Sequence, residues 1–584
     1  MVPGGGAMHL NDGLYNCKNI KHIAHHNEQA CTIAAEAYFR ASGKIGVALV
    51  TTGPGGTNAI TGVAGAWIES TPMLVISGQV KKSDLINKRK IRQNGPQEIS
   101  IVNLVKSITK YSITVKNPNE ILYELQKALH IAGSGRKGPV WLDIPLDVQA
   151  SSVNTKKLRS FVPKKDKKGK LCSKFLEQIT NKLQYSKRPV LLVGHGVRLA
   201  GGSIELKKLI QKLKIPVLFT WNAMDMLDFN NKYNMARPGS VALRFSNFTI
   251  QNSDLLISVG ARLDKIVTAF NLKNFAPFAE KFITDIDPYE LKKFDKKNTN
   301  TLEVDAKTFL MEMNEFLKKI KINSFHDWVN RCNIWKSKYP LNDGKTFSKT
   351  GKIKHLHIID KLSHYIPENS LIVTGSSGLA IESFYLGFRN KKNQRIFLTS
   401  GLGAMGYGIP ALIGAAAISK NKNIIGIESD GSLMMNLQEL ATLKTLAKNI
   451  KLIILNNFGY SSIKNTQKNY FNSRFIAVDK NSGLKIPNLA SIFLSFGYKV
   501  TEIKKINEID LKLNNFFKDN KSDVCIVSLD PDDSLWPKVA AIPQPDGRII
   551  SMPLEDMSPL LPRKLLKEEM IVDLHESSML IKDD

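Results

Sequence analysis

The chain has 584 residues, enough for three or four domains that each bury a core, so a small disulfide-stapled module is excluded. Hydrophobic residues make up 43%, charged residues 23% and aromatics 8%, ordinary globular values that also exclude wholesale disorder and fibrous repeats. The 82 Lys and Arg against 52 Asp and Glu give a net charge of +30, but the lysines are scattered among Asn and Ile, as in Lys296-Lys297-Asn298-Thr299-Asn300, which reads as compositional bias with no nucleic-acid partner.

Apolar β-branched runs alternate with helical-period segments from end to end, which predicts an α/β fold of three doubly wound parallel-sheet domains. The first block, residues 1–160, opens in the Gly-rich turn Pro3-Gly4-Gly5-Gly6 with no strand before it, and continues with a helix over 27–41 and strands over 45–51, 73–77 and 140–144. Lys164-Lys165-Asp166-Lys167-Lys168-Gly169-Lys170 has no interleaved aromatics and reads as the centre of a solvated basic linker, residues 161–184. The second block, 185–330, is Rossmann-like, with strands over 189–193, 217–220, 255–259 and 282–285. Gly194-His195-Gly196 after its first strand fits either a nucleotide site or close helix–strand packing. The third block, 350–535, has strands over 371–374, 424–428, 451–455 and 524–529, and residues 536–584 are Pro-rich and irregular. The five cysteines are far apart with no C-x-x-C pair, which signals neither a disulfide framework nor a zinc site. The start lacks a signal-peptide pattern, and the longest apolar stretch, near 408–418, is too short for a bilayer. A cytoplasmic location with no membrane partner is expected.

The chemistry concentrates in the third block. The strand over 424–428 ends in Ser429-Asp430-Gly431-Ser432, a helix is expected over 434–447, and a second strand ends in Asn456-Asn457. A βαβ crossover keeps its strands parallel, so Asp430 and Asn457 both emerge at the carboxyl edge, where open α/β sheets bind ligands. Their oxygens suit Mg²⁺ completed by diphosphate oxygens. Gly431 and Ser432 open the helix and offer free N–H groups to a phosphate. Thr374-Gly375-Ser376-Ser377-Gly378 makes a similar turn after another strand. Taken singly, each turn is equally an ordinary capped strand–helix junction.

Together these residues resemble the thiamine diphosphate signature, Gly-Asp-Gly followed by Asn-Asn. Pro3–Gly6, His25-His26-Asn27-Glu28-Gln29-Ala30, Thr51-Thr52-Gly53-Pro54-Gly55-Gly56-Thr57-Asn58, Ser77-Gly78-Gln79-Val80 and Gly401-Leu402-Gly403-Ala404-Met405-Gly406 are similar to acetolactate synthase large subunits, in the same order. The resemblance implies a pyrimidine-binding domain, N-terminally incomplete here, a middle domain and a diphosphate-binding domain followed by a C-terminal lid. It implies Mg²⁺ held by Asp430, Asn457 and the Gly459 carbonyl, and cofactor contacts from Gly375, Ser376, Ser377, Gly403, Met405, Asp430, Gly431, Ser432 and Asn457. Glu28 matches the catalytic glutamate, whose carboxyl group shares a proton with the cofactor's pyrimidine ring. Met405 matches the residue that props the two rings into a bent conformation, and Gln79 a glutamine at the reacting centre. Gly194, His195, Gly196 and Gly260-Ala261-Arg262 resemble a part that holds FAD, a candidate third cofactor. His25 and His26 read as packing or rim residues, because neighbours on an extended chain point to opposite faces.

The implied activity is decarboxylation of pyruvate and transfer of the two-carbon unit to a second 2-oxo acid or other ketone, in a homodimer or homotetramer with active sites between chains. Three departures stand out. Ser429 replaces the first Gly of the signature, the helix and strand that ordinarily precede Pro3 are absent from this sequence, and Thr466 and Ile266 stand where acetolactate synthases carry Trp and Arg. The last points to a different acceptor, as in a carboligase acting on a keto sugar in surface-polysaccharide biosynthesis. A non-ligating 2-oxo acid decarboxylase and an inactive binding homologue are also compatible with these residues.

Overall fold

The computed structural model describes residues 1–86, 89–163, 173–295, 297–418, 423–446, 450–518, 523–543 and 549–579. Three parallel sheets are present among them. The N-terminal sheet has β1 (Gly46–Val50), β2 (Met73–Gln79), β3 (Tyr111–Thr114) and β4 (Pro139–Pro145) in the order β1-β2-β4-β3. The middle sheet has β5 (Pro189–Val193), β6 (Val217–Phe219), β7 (Leu255–Val259), β8 (Glu280–Asp285) and β9 (Thr299–Glu303), ordered β6-β5-β7-β8-β9. The C-terminal sheet has β10 (Leu371–Thr374), β11 (Arg395–Phe397), β12 (Ile424–Ser429), β13 (Ile450–Asn456), β14 (Val500–Ile503) and β15 (Val524–Ser528), ordered β11-β10-β12-β13-β15-β14. Every residue of β10 and β12 is buried, as expected of Ile- and Val-rich strands covered by helices on both faces.

Helices α1 (Glu28–Ser42), α2 (Pro54–Ile68), α3 (Ser173–Tyr185), α4 (His355–Tyr365), α5 (Gly408–Ala416), α6 (Glu439–Leu446) and α7 (Ser461–Tyr470) position the site. Asn27 starts α1, its side chain accepting from the Gln29 N–H at 2.8 Å. α1 packs on α5, with Ile33, Ala34 and Ala37 joining Leu412 and Ile413 in one core cluster. The small side chains let the two backbones approach closely and dock the N-terminal sheet's domain on the C-terminal one.

A buried polar knot joins all three sheets' domains. Arg40 on α1 pairs with Glu36, with Glu69 at 3.2 Å, and donates to Asn222 Oδ1 at 3.1 Å and the Leu398 carbonyl at 2.7 Å. Tyr407 donates to Glu36 at 2.8 Å, and Asn222 to Glu69 at 3.1 Å.

Three expectations need correction. Residues 164–172, the centre of the expected linker, lie outside the described residues, but its second half is α3, whose Phe175, Leu176, Ile179 and Leu183 are buried in the middle core. The helix expected over 434–447 is broken into a turn at Asp430–Leu433, a 3-10 turn at Met434–Asn436 and α6; residues 447–449 lie outside the described residues. The break follows from partners distant in sequence: Asn436 donates to the Gly406 carbonyl at 2.8 Å, and the Glu439 carboxylate accepts from the His26 and Asn27 N–H groups at 2.8 and 3.1 Å. Finally, the described part of residues 536–584 is fastened to the middle domain rather than free to cover a site. Val539, Met552, Leu554, Met557, Leu566 and Met570 are buried in its core, and Arg244 donates to the Met557 carbonyl at 3.0 Å. Burying each of those side chains is worth roughly 1.5 to 3 kcal/mol.

Candidate active site

The strand order of the C-terminal sheet reverses between β10 and β12, and a crevice at such a switch point is where open sheets bind ligands. Thr374–Gly378 leaves β10 and Ser429–Ser432 leaves β12 on either side of it. Glu428 links the two loops. Its buried carboxyl group accepts from the Gly408 N–H at 2.9 Å and the Ser429 N–H at 2.8 Å, and burial pushes its pKa up to about 7. A Cβ on Gly375 would lie 2.2 Å from Glu428 Oε1, so only glycine fits there. The loop 401–406 completes the rim. Ser376 Oγ donates to the Ala404 carbonyl, and the Gly406 N–H donates to Ser432 Oγ at 2.9 Å, leaving Met405 half-buried. Thus Gly375, Ser376, Ser377, Gly403, Met405, Asp430, Gly431, Ser432 and Asn457 gather at one sheet edge. Ser429 has φ −98° and ψ 154°, extended backbone that any residue adopts, so Ser in place of Gly costs nothing there.

At the centre, one terminal atom of the Asn457 amide lies 2.8 Å from the Gly459 carbonyl oxygen and 2.9 Å from Asp430 Oδ1, so the three groups converge whichever way the amide is turned. Oxygens this close repel unless a cation lies between them. Ligands about 2.1 Å from Mg²⁺ on neighbouring octahedral vertices stand about 3.0 Å apart, so the spacing is close to what that ion needs. Turning the amide over would instead give N–H donations to both acceptors, with the oxygen accepting from Ser461 Oγ at 3.2 Å. Asp430 is fully buried, and burial pushes its pKa up to about 7 against four backbone N–H groups that favour the carboxylate, among them Gly459 N–H at 2.9 Å. Gly459 has φ +148°, and a Cβ there would lie 2.1 Å from the Val478 carbonyl oxygen. No group of three His, Cys, Asp or Glu capable of holding a metal occurs among the described residues; this trio is one carboxylate, one amide and one carbonyl.

Glu28 is buried at the start of α1, with Asn58 Nδ2 donating to its Oε2 at 3.0 Å. α1 meets the C-terminal domain at Glu36, against Tyr407 at the start of α5, and just before Glu28, where the His26 and Asn27 N–H groups donate to Glu439. Beside it, His25 Nδ1 sits 3.0 Å from Glu439 Oε2, its pKa lowered by burial, while His26 is exposed.

Gln79 ends β2. Its amide is fully used inside its own domain: Nε2 donates to the Ile99 carbonyl at 3.0 Å and Asp143 Oδ2 at 3.1 Å, and Oε1 accepts from the Val80 N–H at 3.0 Å. Asp143 also accepts from Ser77 at 2.7 Å and Thr114 at 3.1 Å, yet burial outweighs these bonds and lifts its pKa to about 6. The folded state therefore binds this proton more tightly than the unfolded chain, and stability present below about pH 4 is lost as pH rises to about 6. Denaturation of wild type and Asp143→Asn across that window should differ in slope, with about 3 kcal/mol at stake for wild type.

A second switch point lies between β5 and β7. The Gly194 and Gly196 N–H groups donate to the Val259 and Gly260 carbonyls, and a cavity of about 900 Å³ opens there, lined by His195, Gly196, Gly260, Arg262 and Ile266 with Glu69, Asn222 and Ser400 of the polar knot. His195 Nδ1 lies 3.2 Å from the Asn222 carbonyl, while its buried Nε2 has no partner among the described residues.

Family models for the N-terminal, central and C-terminal domains of thiamine pyrophosphate enzymes match residues 1–104, 176–313 and 374–527. The chain belongs to the thiamine pyrophosphate enzyme family. It is similar to acetolactate synthase of Schizosaccharomyces pombe (30% identical, covering 88% of this chain and 78% of the relative), to the large subunit of Lactococcus lactis (32%, 81% and 80%), and to the isozyme 2 large subunit of Escherichia coli (29%, 95% and 96%). It is thus a thiamine pyrophosphate-dependent enzyme of acetolactate synthase type. No helix among the described residues is long and apolar enough to cross a membrane. Within this family reading, sequence reasoning missed Asn58, Glu428, Glu439 and the His355–Asp533 pair near Asn457, none of which stands at a telling spacing.

Proposed function

We propose that the chain decarboxylates pyruvate and transfers the two-carbon unit to an acceptor ketone, using thiamine diphosphate and Mg²⁺. The convergence of Asp430, Asn457 and the Gly459 carbonyl on one point carries this reading. Bound here, the cofactor supplies a carbon nucleophile and an electron sink for the departing carboxylate. Gly431, Ser432, Gly375, Ser376 and Ser377 would hold its diphosphate, Gly403 and Met405 its rings, and Glu28 the proton of its pyrimidine. Following the resemblance to acetolactate synthases, whose active sites lie between chains, we assign Glu28 to the site of a second copy, making a homodimer the smallest active unit. Gln79 then acts as a wall of that site, held stiff by Asp143.

The cavity at the middle switch point supports FAD as a third, structural cofactor, with His195 Nε2 as an unclaimed polar contact. A cytoplasmic location accompanies the reading. An acceptor larger than pyruvate, such as a keto sugar, is favoured by Thr466, which is exposed on α7, and by the neutral Ile266 in the cavity wall. The test is incubation with thiamine diphosphate, Mg²⁺ and pyruvate while CO₂ and acetolactate are assayed together. Acetolactate in step with CO₂ is expected if pyruvate is also the acceptor; CO₂ release accompanied by acetolactate only when a keto sugar is withheld would place the sugar first. Acetaldehyde as the sole product would overturn carboligation.

A further inference from the structure

The Asn457 amide faces a choice that its cation-site neighbours decide wrongly. Presenting its oxygen to Asp430 and Gly459 makes a cation site; presenting its NH₂ closes that site with two hydrogen bonds. Without the ion both neighbours favour the closed form. Ser461, a rotatable hydroxyl, can donate or accept and so serves either orientation.

His355 does discriminate. Ile353 bridges Leu529, and the Asp530 N–H donates to the Ile353 carbonyl at 2.9 Å, so the chain before α4 runs along the end of β15, next to β13. This places His355, 2% exposed, behind Asn457. Asp533 Oδ2 accepts from the His355 backbone N–H at 2.8 Å and lies 2.9 Å from its Nδ1. A carboxylate only accepts, so Nδ1 carries a ring proton, and in the neutral ring Nε2 then presents a lone pair. Nε2 stands 3.5 Å from Asn457 Nδ2. With the amide turned over, that lone pair would face the amide oxygen.

We propose that Asp533 and His355 are positioning residues that orient the Asn457 amide with its oxygen toward the cation, so that the site is built before the ion arrives. The proposal rests on Asp430, Asn457 and Gly459 being cation ligands. Outer-shell partners that fix a ligand's orientation are commonly worth about 10- to 100-fold in metal affinity, and a contact as long as 3.5 Å belongs at the lower end.

The test is Mn²⁺ titration of the full-length protein, with and without thiamine diphosphate, following the free ion by electron paramagnetic resonance. His355→Leu should weaken Mn²⁺ binding about tenfold. His355→Gln, whose Oε1 can accept from Asn457, should stay close to wild type, and Asp533→Asn should weaken binding in the same direction as His355→Leu. Wild-type affinity in both His355→Leu and Asp533→Asn overturns the proposal, as does an equal loss in the Leu and Gln variants, which would mean packing rather than orientation. Should His355→Leu not fold, wild-type affinity in Asp533→Asn alone overturns it. If Asp430→Ala also binds Mn²⁺ like wild type, the ligand assignment itself has failed, a separate result.

Discussion

Glu28→Ala is expected to abolish turnover while leaving the fold intact. Among the described residues the side chain makes one hydrogen bond, from Asn58, and the cap of α1 belongs to Asn27, so truncation should cost about 1 kcal/mol of stability. The catalytic loss is of another size. Removing a positioned proton-transfer group costs typically about 10²- to 10⁴-fold, and Glu28→Gln, which keeps the contact with Asn58, should be nearly as inactive as Glu28→Ala. Steady-state rates beside a thermal melt check both halves. Near-normal rates in either variant would remove Glu28 from the chemistry.

The second large effect is at Asp430. It supplies the formal charge of the oxygen trio, so Asp430→Ala should weaken Mg²⁺ binding by at least about 100-fold and, because the diphosphate shares the ion, cofactor binding with it. Calorimetric titration of thiamine diphosphate with and without Mg²⁺ measures the coupling. In wild type the ion should tighten cofactor binding strongly; in Asp430→Ala it should make little difference. Cofactor affinity that still depends on Mg²⁺ in the variant would refute the assignment.

Interior strands were legible because parallel strands covered on both faces are apolar throughout: β5 and β7 match their predicted spans, and β10, β12 and β13 lie within two residues of theirs. The strands of the three parallel sheets that went unread, β3, β9, β11 and β14, are all at sheet edges. β9 is Thr-Asn-Thr-Leu-Glu with no residue fully buried, so hydrophobicity gives it no signal. The placement of Asp430 and Asn457 at one sheet edge was readable because a βαβ crossover keeps its two strands parallel. His355 was not, since its partners Asp533 and Asn457 are 178 and 102 residues away and no local period connects them. The tail misled for a related reason: the apolar residues of 539–570 follow no regular spacing because they fill gaps in a surface supplied by another domain.

Glu69, Asn222 and Ser400 each belong to a different domain, and each has one side in the polar knot around Arg40 and the other on the 900 Å³ cavity. The wall of that cavity is therefore the joint between domains. A molecule filling it would act as mortar: its binding free energy adds to the adhesion of all three domains, and stripping it out should loosen the assembly even though the reacting atoms lie at a different sheet. The Gly401 N–H and Ser400 hydroxyl both donate to Glu69, on the loop that ends in Met405. Whatever occupies the cavity thereby has a mechanical claim on the rim of the catalytic cleft without taking part in its chemistry.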